Sequence, residues 1–462
     1  MMSGNPKATS PTLHLWTLDP VIRELQSCPA ARAAEFADLI IPGRVNLLSV
    51  ENGNAVQSSA TVYGASKVTD IPELTLYKTG AGWPHPRSLR KILEKHQSWV
   101  DEAQLYPPRP PPLSLRFLEG ETSRESIART LVEYLDDQQY AVYATTLSFR
   151  SPVIDRCLRL FQGENEASST LTRSSIDTTS IMSCGALLPL EASALMSTST
   201  IHVITGVRVY IVYPPMPHNL ATLNKYLIDL AGDVAPNYAS VCQELENGIA
   251  FVQRAGQAVT IPPCCPTVVF ATKTSAAVTV RSRYVEDLPL RLEHLDILMA
   301  QIVSIQLVCR QTPEESLEYH TTQLYKDITT VLRALEPSGA NRALLLALGA
   351  VWEREHPRFR GLVELHVEKA LREHIRRNVP RVWSLAVQNQ GLRHCPICKV
   401  SIKGLHVVFI THFQTEHWDV GEYTHPDKED LISVAGEGSR QLTGDGDMSD
   451  DGDHADSRLT AG

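Results

Sequence analysis

The sequence predicts a multidomain α+β protein, and three observations carry that prediction. A block of short, β-branched runs punctuated by Gly and Pro occupies the middle of the chain, and capped amphipathic helices follow it. Near the C-terminus, a Cys/His spacing marks a small unit built around a metal ion.

At 462 residues the chain is long enough for two to four domains, each with its own core. An apolar content of 43% and a charged content of 21% are ordinary for a globular chain in water. No run approaches the roughly 18 uninterrupted apolar residues needed to span a bilayer, so no membrane partner is expected. The opening "MMSGNPKATSPTLHLW" lacks the basic and apolar regions of a signal peptide. These features predict a cytosolic or nuclear protein. The nine cysteines (28, 157, 184, 242, 264, 265, 309, 395 and 398) have no framework spacing. They read as mostly free thiols, with only Cys395 and Cys398 at a metal-ligand spacing.

Residues 1–105 form the first unit, a mixed α+β module. Its first helix is expected in "DPVIRELQS", with Asp19 as N-cap and Pro20 at N1, and a second from Ser88 to Trp99. The Pro-rich "YPPRPPPLSL" (106–115) favours stiff polyproline II and is expected as a linker. Residues 116–285 are then expected as one domain. It opens with a helix in "SRESIARTLVEYLDDQQ", where Ile127, Leu131 and Leu135 repeat every four residues. Strands follow in "STIHVITGVRVYIVYPP" (Ser199–Pro215), and three more in the stretch from Gly248 to Tyr284, with a helix in "NLATLNKYLIDLAG" between the two blocks. A helical region is expected over 286–385. Its first long helix starts with Thr312 as N-cap, Pro313 at N1 and Glu315 at N3, and stops at Pro337-Ser338-Gly339. "NRALLLALGAVWERE" and "RGLVELHVEKALREHIRRNV" are expected as the next helical segments.

Charge is uneven. From Arg342 to Lys403 there are 12 Lys/Arg against 5 Asp/Glu, a local +7, whereas from Glu437 to the end there are 7 acids against 2 basic residues. A basic segment followed by an acidic tail (421–462, expected to be disordered) suits a nuclear protein or a self-masked basic surface. The plain alternative is two unrelated solvated segments.

The most specific motif lies within 391–420: Cys395-x2-Cys398-x13-His412-x4-His417, a C2H2-type zinc finger spacing. Two thiolates on a tight knuckle and two imidazoles on one helical face supply a closed tetrahedral site for structural zinc. Ile402 and Phe409 fall where such a unit places its small core. Fingers that read DNA present polar or basic side chains early in the helix, but here the stretch is "LHVVFIT". A structural or protein-binding finger is therefore favoured over a DNA reader. The preceding "EKALREHIRRNVPR" could still contact phosphates without sequence preference.

Two pieces of the strand block resemble a JmjC (jumonji-type) domain, a double-stranded β-helix of the cupin superfamily. "ITGVRVYIVYPP" is similar to the family's G-x-K-x-W-x-x-x-P-P strand, and "AGQAVTIPPCCPTVVFATKTSAAV" to its G-(apolar)-P-x-G-x-x-H-x-V strand pair. The resemblance spans roughly 100 residues and implies a cupin core flanked by the N-terminal module, the helical region and the zinc finger. Family members hold Fe(II) with a His-x-Asp/Glu pair and a distal His, and use 2-oxoglutarate and O2. Here the pair aligns with Leu190 and Ala192, and the distal His with Thr267. Arg208 stands at the position of the cosubstrate-binding Lys, a cation of different geometry. Glu191, His202 and His218 are the nearby residues that could rebuild a site. Cys264 and Cys265, adjacent on an extended chain, are expected to point to opposite faces.

Fe(II) and 2-oxoglutarate are therefore not expected, and no catalytic residues are assigned. The resemblance and the finger together imply a catalytically inactive scaffold or recognition protein in chromatin or transcription regulation, with a protein partner. The alternatives are an oxygenase with atypical metal ligands and a nucleic-acid-binding protein that uses the basic 342–403 segment.

Overall fold

A computed structural model describes residues 20–48, 56–57, 75–78, 102–106, 113–114, 124–135, 141–146, 177–192, 197–231, 238–309, 313–402 and 406–419. Its strands are β1 (Val45–Leu48), β2 (Val56–Gln57), β3 (Thr75–Lys78), β4 (Glu102–Tyr106), β5 (Leu113–Ser114), β6 (Ala141–Thr146), β7 (Asp177–Met182) and β8 (Leu187–Glu191), followed by β9 (Thr198–Val212), β10 (Gly248–Arg254), β11 (Gln257–Ile261) and β12 (Thr267–Ser282). The helices before and within the strands are α1 (Pro20–Gln26), α2 (Arg32–Ala37), α3 (Arg124–Tyr134), α4 (Pro217–Ala231) and α5 (Tyr238–Glu244). After them come α6 (Leu288–Glu293), α7 (Leu295–Cys309), α8 (Pro313–Ala334), α9 (Gly339–His366), α10 (Lys369–Asn389) and α11 (His406–Phe413), which ends in a π-helical turn, Gln414–Trp418. The architecture is α+β, with a sheet of 12 strands. The expected helix at Ser88–Trp99 and the acidic tail lie outside the described residues, as does Asp19, although α1 does begin at Pro20.

The β-branched density of the two longest runs gives the sheet its spine. β9 and β12 pair antiparallel from Thr198↔Ser282 to Val212↔Thr267. Midway, Gly206 takes φ +78°, and a Cβ there would run into the Thr274 carbonyl and Ser275. The register of β12 shifts repeatedly between Ala271 and Ala277, opposite this glycine. Partners change across the bend. The first half of β9 pairs with β11 and the second with β10, while the first half of β12 pairs with β8 and the second with β7. The outer strands β6, β4 and β5 extend the sheet from β7. The Pro-rich segment thus joins two strands of one sheet, since Gln104 pairs with Ser114.

Period-two alternation sends side chains to two different cores. Val207, Val209, Ile211, Val268 and Phe270 pack against the helices in one large cluster. Tyr210, Val212, Val269 and Ala271 belong to a second cluster on the opposite face. The large cluster is continuous from Val21 in α1 through the sheet and α6–α10 to Trp418, so the N-terminal helices, strand block, helical region and Cys/His unit share one core. A buried ion triad adds a polar tie, because Arg283 after β12 and Arg291 in α6 donate to the same Asp327 oxygen in α8 at 2.9 and 2.6 Å.

The helical region differs from the sequence expectation at its prolines. α9 runs 28 residues straight through Pro357, and α10 runs 21 residues through Pro380. An interior proline costs a helix about 3 kcal/mol. Burial of Trp352, Phe359, Leu362 and Val363 around Pro357, and of Val379 and Trp383 around Pro380, outweighs that cost. The break falls instead at Val367, which is extended (φ −106°, ψ 138°).

Candidate metal centre

The Cys395–Cys398 knuckle is shaped by its backbone. Cys395 N donates to the Val400 carbonyl at 2.9 Å, Lys399 N to the Cys395 carbonyl at 3.0 Å, and Lys399 takes the left-handed φ of +63°. This turn aims both sulfurs at α11. The second pair of ligands poses a geometric problem, because His412 and His417 are five residues apart. At about 100° per residue, an α-helix would leave the second imidazole about 140° round from the first. The π-helical turn solves this. Its wider i→i+5 bonding, including Asp419 N to the Gln414 carbonyl at 2.9 Å, brings His417 back beside His412.

The result is a group of four. One ligand atom each from Cys395, Cys398, His412 and His417 lies within 4.8 Å of the others, so the group could hold a metal ion. Cys395 Sγ is 3.3 Å from His417 Nε2, Cys398 Sγ is 3.4 Å from His412 Nε2, and the two Nε2 atoms are 3.3 Å apart. Tetrahedral zinc would set edges of about 3.3 Å between nitrogens and about 3.5 Å between nitrogen and sulfur, so the geometry is compatible with zinc. Burial pushes the Cys395 thiol up to about 11, and burial with the neighbouring His412 holds His417 down to about 4. A cation entering the group therefore meets a neutral His417 and displaces the Cys395 proton.

The unit is embedded in the helical region. Trp418, the residue after the last ligand, lies 6.4 Å from Trp352 of α9, and Phe413 of α11 lies 5.9 Å from Trp352 and 5.8 Å from Trp383 of α10. Arg360 donates to the Trp418 carbonyl at 2.9 Å, and Arg376 pairs with Asp419 at 3.0 Å. The core around the Cys/His group is thus larger than the expected Ile402 and Phe409. Among the described side chains of α11 and the π turn, the exposed ones are Val408, Thr411, Thr415 and Glu416, with no basic residue among them. Much of the positive charge nearby is also paired internally: Arg354 with Glu293, Arg358 with Glu355 and Arg372 with Glu364.

No protein-family model matches this chain, and no curated protein matches it either. Among the described residues, no helix is long and apolar enough to cross a membrane.

The sheet carries a separate cavity of about 70 Å³, lined from both halves of β9 and β12. Here the structure brings together Arg208, Thr267 and Glu191. Arg208 is 3% exposed and is pinned by Nε to Ser275 Oγ, Nη1 to Ser180 Oγ and Nη2 to the Ser180 carbonyl, each at 2.9 Å. Thr267 opposes Glu191 across β12 and β8, and its hydroxyl donates to the Cys265 carbonyl at 3.1 Å. Burial pushes Glu191 up to about 7, with Arg281 pulling it back.

The other candidates lie elsewhere. Leu190 packs into the helix-facing core. His202 is buried on β9, out of phase with Ser199 and Ile201, which line the cavity. His218 sits on α4, with Nε2 3.0 Å from the Glu244 carbonyl. Cys264 and Cys265 divide between the two cores, and burial raises both thiols. Among the described residues, the lining therefore offers one carboxylate and no imidazole or thiol, and does not fit the two-His-one-carboxylate set that iron oxygenases use.

Sequence reasoning missed Gly349, Trp352 and Trp383 as supports of the metal group. Trp418 stood in view beside His417, but its ring partners Trp352 and Phe359 are 66 and 59 residues upstream by numbering.

Proposed function

We propose that this chain is a non-catalytic, JmjC-like scaffold or recognition protein that works with a protein partner in nuclear chromatin or transcription regulation. The bent strand pair beside a cavity lined from both of its halves supports a cupin-type core. The observation that carries the reading is what stands at the positions aligned with iron ligands: Ala192 and Thr267 line the cavity, Leu190 packs into the helix-facing core, and Arg208 is bound by the protein's own serines. In the same reading the Cys395, Cys398, His412 and His417 group holds zinc. Four protein ligands leave no open position for an activated water, so the ion's role is to fix the knuckle against α11. The paired arginines and the exposed Val408, Thr411, Thr415 and Glu416 favour a brace over a DNA reader.

Metal analysis of the purified full chain tests this. One zinc per chain and no iron is the expected result. A second metal that is lost on substitution of Thr267 or His202 would overturn the scaffold reading in favour of an oxygenase.

A further inference from the structure

Two cysteines with no place in either site meet where the N-terminal helices dock on the sheet. Cys28 follows α1, and Cys184 sits in the β7–β8 turn, where Gly185 takes φ +83°. Their sulfurs are 3.8 Å apart across 156 residues of sequence, and both lie within reach of the Thr272 carbonyl, at 3.6 and 3.2 Å. Both side chains are partly exposed. The surroundings already hold them together. Glu24 of α1 accepts from Thr272 Oγ1 at 3.0 Å and pairs with Arg254 at 2.6 Å, and Phe36 of α2 stacks on Phe270 of β12 at 5.2 Å. A Cβ on Gly185 would stand 2.8 Å from that of Ala30, so the turn and the α1–α2 connection are in direct contact.

We propose that Cys28 and Cys184 are a thiol–disulfide couple, oxidised by a small-molecule disulfide, that clasps α1 and α2 to the bend of β12. Side-chain rotation alone must close the sulfurs from 3.8 Å to a bond of about 2.05 Å. The Cys28 thiolate attacks one sulfur of the oxidant and releases the other as a thiolate. Cys184, losing its proton, then attacks Cys28 Sγ and releases the second thiol. Two protein thiols and one small disulfide become one protein disulfide and two small thiols. The order follows from the pair's electrostatics: the Cys184 thiol beside Cys28 lowers it to about 7, and the same contact, with burial, raises Cys184. Cys264 and Cys265, at 0% and 2% exposure, are the unreactive controls.

The test is glutathione disulfide added to the zinc-loaded full chain, followed by alkylation in denaturant and peptide mapping. The expected product is a Cys28–Cys184 linked peptide, lighter by two hydrogens than its reduced halves. Cys184→Ser should stop the reaction at a Cys28–glutathione adduct, and Cys28→Ser should leave Cys184 unreacted. Proteolysis within 20–37 should slow several-fold on oxidation of the wild type. A Cys28–glutathione adduct that persists in the wild type overturns the proposal, as does a pair left unreacted while free glutathione exchanges. The wild-type peptide map decides the matter even if either serine variant fails to fold.

Discussion

Gly349 of α9 faces Pro396 of the cysteine knuckle so closely that a Cβ on the glycine would stand 2.5 Å from the proline's carbonyl oxygen. At a free helical site, Gly→Ala stabilises by about 1 kcal/mol. Here the added methyl must displace backbone, and overpacking of that kind costs about 1–3 kcal/mol. Gly349→Ala is therefore expected to destabilise, read as a lower denaturant midpoint, and to hold metal less tightly. An unchanged or raised midpoint would show that helix and knuckle are not in register as described.

Removing the metal should disturb the tryptophans more than the sheet. Trp418 adjoins a ligand and packs on Trp352, which packs on Trp383 at 5.7 Å. A strong chelator, or His417→Ala, is expected to shift tryptophan emission to the red and to lower Tm by on the order of 10 °C. Emission that does not move on metal loss would mean that the aromatic cluster stands without the ion.

Asp327 is expected to be among the costliest single positions in the helical region. Asp327→Asn leaves Arg283 and Arg291, 5% and 4% exposed, without their shared carboxylate. Breaking such a buried set costs about 3–5 kcal/mol. Replacing both arginines with methionine in the Asp327→Leu background should recover much of the loss, as measured by urea unfolding. Failure to recover would assign the cost to packing and not to stranded charge.

Glu191 gives stability a pH dependence of known sign. Its folded pKa, about 7, lies above the ordinary value of 4.5, so between these values the folded chain binds more protons than the unfolded one. Its contribution to stability is then largest below about pH 4.5, falls as pH rises through 7, and levels off above, a span of up to about 3 kcal/mol. Glu191→Gln should flatten this part of the curve relative to wild type. Parallel curves for the two proteins would place Glu191 in contact with water.

Short-range patterns carried most of what could be read from the residues. The ligand spacing Cys395-x2-Cys398…His412-x4-His417 is local chemistry, and the structure brings those four side chains together. The strand runs at 198–212 and 248–282 and the start of α8 at Pro313 follow from propensity and turn residues within a few positions. The expected helical segments leave Pro357 out for the same local reason, and the helix continues through it because Trp352 and Phe359 are buried by residues far away in sequence.

The sequence by itself determined which four residues stand at a metal-ligand spacing, where the central strand runs and the helix at Pro313 begin, and that position 267 carries a hydroxyl and not an imidazole. Only the tertiary structure decided the π turn that aims His417, the Gly349–Pro396 approach, the Asp327 triad, the meeting of Cys28 with Cys184, and the turning of Glu191 towards Thr267. Each of these is a pairing of residues from separate elements. Its energy depends on burial and on distances of a few ångströms, which no periodicity along the chain encodes.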